Sequence, residues 1–150
     1  MKIPAVPPIG HVVAYEYLWA SQAGERQDGA KTYPVALVMA SQIEDGTVIT
    51  YALGISHKAP TEDERALEVP PKLARWLGLD GKPMWIYTDQ LNVFAWPGPD
   101  LRPADHLSDR PSAKGTCVIG ELPFDWYEAV KEHLVESRKL GILKAQKRTA

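Results

Sequence analysis

The sequence contains a single cysteine and no long run of apolar residues. Cys117 has no second thiol with which to form an intramolecular disulfide, a zinc knot or a redox pair, so a reducing, cytoplasmic location is expected. The longest apolar stretch, residues 35–40, is far shorter than the roughly 18 residues that a membrane-spanning helix needs. The N-terminus also lacks the apolar run of a secretory signal. These absences predict a protein with no membrane segment.

Several common catalytic signatures are missing as well. The sequence has no glycine-rich phosphate loop followed by lysine and serine, no dinucleotide fingerprint, no Gly-x-Ser-x-Gly elbow and no His-Glu-x-x-His pair. Nucleotide hydrolysis and Rossmann-type redox chemistry are therefore excluded. The histidines stand far apart, at positions 11, 57, 106 and 133, which gives little indication of a metal site. No cofactor is expected.

The composition is that of one soluble globular domain spanning residues 1–150. Hydrophobic residues make up 45% of the chain and charged residues 24%, which excludes wholesale disorder. The net charge is −2, so the protein does not coat nucleic acid through bulk charge, although a local basic cleft is compatible with it. Residues 138–150 carry five cations and no acid, so the remainder carries −7.

Hydrophobic patterning predicts a mostly β or α+β fold built on a small, bent antiparallel sheet or barrel. We expect residues 1–9 to be an extended lead, residues 20–31 a loop, and residues 142–150 a frayed tail. A capping box at Asp125 and Glu128 is predicted to start the C-terminal helix, and Gly141 to end it. The predicted strands span 11–19, 33–43, 48–55, 84–96 and 116–120, and the predicted helices span 70–77 and 123–141. A bulge or a functional site is expected to interrupt the fourth strand around residues 88–90.

The end of the third predicted strand holds a compact set of reactive side chains. Ser56, His57 and Lys58 place a hydroxyl, an imidazole and an ammonium group next to one another. Cleavage of a phosphodiester needs a base for the attacking oxygen, a cation for the phosphate and a donor for the leaving oxygen, and this trio supplies all three. A strand end that simply exits to solvent is the alternative interpretation.

Five tryptophans are many for a chain of this length. Trp76, Trp85 and Trp126 stand in periodic apolar contexts and are expected to pack in the core. Trp19 and Trp96 stand where strands run into loops, and they are candidates for stacking on the bases of single-stranded nucleic acid.

Several segments in order resemble the MazF/PemK-like toxins. Gly10-His11-Val12-Val13, a polar loop with glycine, and residues 34–39 (Pro-Val-Ala-Leu-Val-Met) resemble that family's opening, and Ile55-Ser56 falls at its strand-terminal Ser or Thr. Asp89-Gln90-Leu91, followed by residues 96–103 (Trp-Pro-Gly-Pro-Asp-Leu-Arg-Pro), is similar to divergent PemK-like growth inhibitors of bacteria. The similarity covers residues 10–103. His11 stands where the family has aspartate, and Tyr33 where it has arginine.

The resemblance implies an SH3-like barrel that forms a homodimer and acts as the toxin of a toxin–antitoxin module. Such toxins are metal-independent endoribonucleases that cut single-stranded RNA through the ribose 2′-hydroxyl, and an antitoxin protein blocks their cleft. The catalytic residues expected here are Ser56, His57 and Lys31. The expected RNA-binding residues are Arg26, Lys58, Gln90, Trp19 and Trp96, with Arg26 also an alternative to Lys31 as the phosphate cation.

Two other functions remain open at this point. One is a non-catalytic SH3-like binding module, which the tyrosine at position 33 favours. The other is a metal-dependent hydrolase that uses His57, Asp89 and His106.

Overall fold

The computed structural model describes residues 1–26, 28–29 and 31–148 and shows a mostly antiparallel sheet with two helices. The predicted fold class, mostly β with a short inserted helix and a C-terminal helix, is confirmed. The strands are β1 (His11–Tyr15), β2 (Tyr33–Gln42), β3 (Val48–Ser56), β4 (Ala66–Glu68), β5 (Trp85–Tyr87), β6 (Gln90–Ala95), β7 (Val118–Glu121) and β8 (Lys144–Lys147). The helices are α1 (Pro71–Trp76) and α2 (Phe124–Lys139).

The strands β1, β2 and β3 form an antiparallel meander, as their spacing predicts. β1 pairs with β2 in the register Val13↔Val35, and β2 pairs with β3 in the register Ala36↔Leu53. The hairpin between β2 and β3 turns at Gly46, whose φ of 87° suits glycine. β7 adds to the free edge of β1, which completes the order β4-β5-β3-β2-β1-β7.

β3 has two different partners along its outer edge. Its first half pairs with β6 through Ile49↔Ala95, and its last two residues pair with β5 through Ser56↔Trp85. The segment expected to be one strand over 84–96 is therefore two strands, broken at Thr88 and Asp89, where the interruption was predicted. This break places Thr88 and Asp89 between the two stretches of β3 that are paired.

Alternate residues of each strand pack into two separate apolar clusters, one on each face of the sheet. Val12, Leu53 and Ile119 belong to the cluster under α1 and α2, whereas Val13 and Tyr15 belong to the other. This alternation is the period of two that a sheet buried on both faces imposes. The prediction that Trp76 is a core residue is wrong, because its ring is 51% exposed and lies under the Arg110 guanidinium. Trp85 and Trp126 pack at the margins of the two clusters.

The two ends of α2 differ in how well the sequence signals them. The predicted capping box is not formed, because Pro123 occupies the N-cap and no side chain caps the first turn. Proline has no backbone N–H group, so a capping box has nothing to bond at this N-cap. The helix therefore starts without an Asp125–Glu128 pair. The predicted end is confirmed: Gly141 has a φ of 73°, and the N–H groups of Gly141 and Ile142 donate to the carbonyls of Arg138 and Ser137.

The prediction of a frayed tail is wrong for residues 144–148. β8 pairs in parallel with β6 over Gln90↔Lys144 to Val93↔Lys147, and the N–H of Arg148 donates to the carbonyl of Val93. The exposed edge of β6 provides the backbone groups that order this segment. At the other end of the chain, the lead forms one bridge, Lys2 to Thr116. Residues 149 and 150 lie outside the described residues.

Two further features concern the sequence-based expectations about compartment. In the described part of the chain, no helix is long and apolar enough to cross a membrane. Cys117 is fully buried, and burial raises the pKa of its thiol, so the thiolate is disfavoured.

Candidate functional site

A cleft of about 1180 Å³ opens where β3, β5 and β6 meet the first loop and the chain beyond α2. Six of the eight side chains that the sequence nominates line it: Trp19, Lys31, Ser56, His57, Lys58 and Gln90. The split in the outer edge of β3 creates this space, because β5 and β6 diverge on either side of Thr88 and Asp89. We refer to it below as the cleft.

His57 is held by both of its ring nitrogens. Nδ1 lies 2.8 Å from the carbonyl oxygen of Pro83, and Nε2 lies 2.9 Å from Oδ2 of Asp80. A carbonyl oxygen only accepts, so Nδ1 carries a proton in both charge states of the ring. The Asp80 carboxylate also only accepts, so Nε2 donates to it, and both ring nitrogens act as donors in this arrangement.

Ser56 and Lys58 flank this ring. The Oγ of Ser56 accepts a hydrogen bond of 3.1 Å from the backbone N–H of Lys58, so its hydroxyl hydrogen can be donated to a ligand. The backbone carbonyl of Lys58 accepts a hydrogen bond from the Tyr87 hydroxyl. Burial, together with the Glu64 and Asp89 carboxylates, raises the pKa of Tyr87 to about 12, so the phenol stays protonated and keeps this bond at neutral pH.

Cations do gather at the cleft, but acids accompany them. Lys31 and Lys58 are joined there by Lys144 from β8, and the lining also includes three carboxylates, Asp63, Glu64 and Asp89. The Lys31 ammonium lies 5.1 Å from the centre of the Tyr33 ring. The lining is therefore balanced in charge, with Lys31 and Tyr33 side by side where the resembling family has arginine.

Arg26 is not one of the residues that line the cleft. Its Nε donates to the carbonyl of Asp28 at 2.6 Å, and its Nη2 donates to the carbonyl of Gly29 at 3.2 Å. The guanidinium is thus committed to the backbone of its own loop. The structure therefore does not bring Arg26 to the cleft with Lys31, and its role in RNA binding stays a prediction.

The two candidate stacking tryptophans differ from each other. Trp96 is 8% exposed, is not among the cleft residues, and donates its indole N–H to the carbonyl of Pro4 at 2.8 Å. The structure therefore places Trp96 in an apolar cluster and not beside the other residues predicted to bind RNA. Trp19 does line the cleft. Its ring makes edge-to-face contacts with the rings of Tyr17, Tyr33 and Tyr87, whose centroids lie 4.5 to 5.4 Å from its own. Trp19 is only 8% exposed, so little of its ring is open to a stacking base.

Gln90 holds the first loop against β6. Its side chain is buried, and its Oε1 accepts a 2.9 Å hydrogen bond from the backbone N–H of Ala20. The neighbouring Asn92 accepts from the N–H of Leu18 and donates to its carbonyl, at 2.9 and 2.8 Å. Gln90 therefore positions the Trp19 end of the cleft through the backbone.

The metal-dependent alternative does not agree with the arrangement of its three residues. His57 is engaged with Asp80 and Pro83, His106 lies outside the cleft lining, and Oδ2 of Asp89 accepts from the N–H of Arg65 at 3.1 Å. Within the described ranges, no group of three His, Cys, Asp or Glu side chains could hold a metal ion. The predicted trio is therefore wrong as a metal site.

The cleft also contains polar residues that were not nominated from the sequence as RNA ligands, among them Gln22, Tyr87, Asp89 and Lys144. Asp89 interrupts a run of strand-forming residues, which is a signal that indicated either a bulge or a site. The sequence around Lys144 did not indicate a role in the site, because the position of Lys144 depends on the pairing of β8 with β6.

Gly54 lies beneath the aromatic group, and we expect Gly54→Ala to destabilise the protein. A Cβ at this position would lie 2.6 Å from the Trp19 ring and 3.0 Å from the Tyr17 ring. Because both rings are buried, they must shift, and overpacking of this kind costs about 1–3 kcal/mol. Urea denaturation measures the loss. Gly81→Ala is the control, since its Cβ meets nothing within 4 Å; equal stability of the two variants would contradict the packing argument.

Comparisons with protein-family models, curated proteins and solved structures find no match to this chain.

Proposed function

We propose that the protein is a metal-independent endoribonuclease that cleaves single-stranded RNA, acting as the toxin of a bacterial toxin–antitoxin module. One observation carries the proposal: six residues nominated from sequence patterns line a single cleft. They come from three separate regions of the chain, residues 19–31, 56–58 and 90.

In the proposed reaction, Nε2 of neutral His57 accepts the proton of a ribose 2′-hydroxyl. The 2′-oxygen then attacks the adjacent phosphorus, the bond from phosphorus to the 5′-oxygen breaks, and a 2′,3′-cyclic phosphate forms. In this step the 2′-hydroxyl takes the place of Asp80 at Nε2. After the proton transfer, the Asp80 carboxylate, 2.9 Å from Nε2 in the structure, again accepts from Nε2–H and stabilises the imidazolium, which later returns its proton to solvent. The carbonyl of Pro83 fixes the tautomer that makes Nε2 the base.

The remaining roles belong to the cations and the hydroxyl that flank His57. Lys31 and Lys58 stabilise the negative charge of the phosphate in the transition state, as point charges and not as a bidentate fork. The Ser56 hydroxyl donates a hydrogen bond to the leaving 5′-oxygen, which takes its proton from solvent. No step in this scheme requires a cofactor.

The first test is cleavage of a defined single-stranded RNA in the presence of EDTA. We expect fragments ending in a 2′,3′-cyclic phosphate and in a 5′-hydroxyl, and no cleavage of the same strand with 2′-deoxyribose at the scissile position. Lys31→Ala should slow cleavage by about 10- to 100-fold, since it removes one charge contact to the transition state. Cleavage that needs a divalent cation, or a Lys31→Ala variant as fast as the wild type, would contradict the proposal.

A non-catalytic RNA-binding module is the second candidate, and Tyr33 favours it. This position carries the bidentate cation in the resembling family, and here a phenol supports the Lys31 ammonium. The module predicts RNA binding without strand scission. It also predicts no loss of binding in Ser56→Ala.

The proposal includes two protein partners, a second copy of the chain and an antitoxin. Analytical ultracentrifugation of the purified protein tests the homodimer. Induced expression tests the toxin: growth arrest is expected, relieved by coexpression of a small neighbouring gene whose product has an acidic C-terminus. Continued growth would remove the toxin assignment.

A further inference from the structure

Three buried polar atoms without hydrogen-bond partners belong to residues that line the cleft. Among the described residues, five buried side-chain atoms have no hydrogen-bond partner, and three of them belong to cleft residues: Nε1 of Trp19, Oε1 of Gln22 and Oδ1 of Asp89. Buried polar atoms in native proteins are almost always bonded, because leaving one without a partner costs free energy. A cluster of three around one cavity points to a ligand that satisfies them.

The contacts around Trp19 and Asp89 fix the positions of two of these side chains, and Gln22 lies on the 3-10 turn that follows Trp19. The bond from Ala20 N–H to Gln90 Oε1 fastens the 3-10 turn that follows Trp19 to the start of β6, directly after Asp89. The Trp19 ring contacts the Tyr87 ring, with 5.4 Å between centroids. Oδ2 of Asp89 accepts from the N–H of Arg65, which orients the carboxylate and leaves Oδ1 as the remaining acceptor. The group is thus preorganised and not a set of mobile surface side chains.

The set consists of one donor and two acceptors, and this composition selects among the bases. A base that satisfies it must present one acceptor and two donor groups along one edge. The Watson–Crick edge of guanine does so, with O6, N1–H and the N2 amino group. Adenine offers one donor group and cytosine one, each beside ring acceptors, and uracil offers one N–H between two carbonyls. Only guanine among the four matches all three atoms.

We propose that these three atoms form a guanine-binding subsite of the cleft. Trp19 Nε1 donates to O6, and the oxygens of Asp89 and Gln22 accept from N1–H and the N2 amino group. The Lys31 and Lys58 ammonium groups lie in the same cleft and suit the attached phosphate. The inference rests on the proposed function in one respect, since it assigns the guanine to the RNA substrate. A free guanine nucleotide presents the same edge.

The test measures binding without cleavage. Pentanucleotides of 2′-O-methyl uridine, with G, A, C or U at the central position, cannot be cut, and fluorescence anisotropy gives their dissociation constants. We expect the G strand to bind about tenfold or more tightly than the others, as a base contact through several hydrogen bonds would give. Asp89→Asn should abolish most of this preference, because an amide presents a donor as well as an acceptor to N1–H. Asp63→Asn removes the same charge from an exposed carboxylate of the cleft lining and should keep the preference.

A change in the ligand gives an answer that does not depend on any variant folding. Inosine lacks only the N2 amino group, so an inosine strand should bind less tightly than the G strand and more tightly than the A strand. Competition by guanosine monophosphate would show that the free nucleotide also occupies the subsite, and its failure to compete would assign the guanine to RNA.

The outcomes separate this inference from the proposed function. Equal binding of the four strands would overturn the guanine subsite and leave cleavage to be judged by the EDTA test. A guanine preference in a protein that cuts no RNA would support the subsite and overturn the nuclease. Absence of binding by every strand and by the nucleotide would overturn both.

Discussion

A His57→Ala variant is expected to cleave single-stranded RNA about 10²- to 10⁴-fold more slowly than the wild type, the usual contribution of a general base. The variant removes the only imidazole among the cleft residues. Rates are measured under single-turnover conditions in EDTA, so that substrate binding and product release do not mask the chemical step.

His106→Gln is the matched control for this loss. His106 is exposed on the 3-10 helix Ala104–His106 and is not part of the cleft lining, so its replacement should leave the rate unchanged. Asp80→Asn should have a smaller effect than His57→Ala, because the amide still accepts a hydrogen bond but stabilises the imidazolium less. A His57→Ala variant that cuts RNA at the wild-type rate would remove His57 as the base.

Arg148→Ala is expected to lower the free energy of unfolding by about 3–5 kcal/mol, as loss of one partner from a buried ion pair does. The Arg148 side chain is 2% exposed and donates to Oδ2 of Asp100 at 2.7 Å. It also donates to the carbonyl of Glu16 at 2.7 Å and to Oδ1 of Asn92 at 3.0 Å. Without the guanidinium, the Asp100 carboxylate and two buried oxygens lose charge-assisted bonds.

Lys147→Ala is the control for Arg148, since Lys147 is exposed on β8 one residue earlier and should change stability little. Arg148→Lys should fall between the two, because lysine keeps the charge but cannot donate to three oxygens in a planar fork. Chemical denaturation followed by circular dichroism measures all three variants. Equal midpoints for Arg148→Ala and Lys147→Ala would show that the tail does not hold the fold.

Local patterns in the sequence predicted much of the secondary structure. Proline before α1 and α2, glycine after α2 and the turn around Gly46 mark boundaries that depend on a few neighbouring residues, and the structure has those boundaries. β1 is shorter than its run of apolar residues, because the chain after Tyr15 bonds through Asn92 to β6 and not through a strand partner. Patterns of apolar residues show where burial occurs but not which backbone pairs with which.

The candidate site was predictable only where its residues are neighbours in the chain. Ser56, His57 and Lys58 are adjacent in the chain, so the sequence could nominate them together. Their approach to Lys31, Trp19 and Gln90 follows from sheet pairing, which joins residues far apart in sequence. Arg26 and Trp96 lie outside the cleft because their side chains donate hydrogen bonds to backbone carbonyls elsewhere. No pattern in the sequence predicts these bonds.

By itself, the sequence determined a β-rich fold, a single thiol, and a trio of hydroxyl, imidazole and ammonium groups at a strand end. The tertiary structure decided the rest. It split the fourth predicted strand at Asp89, brought β8 and Lys144 to the cleft, and buried Arg148 against Asp100. The physical reason is that composition and periodicity depend on local side-chain chemistry, whereas a cleft depends on non-local backbone pairing and on which buried polar atoms find partners.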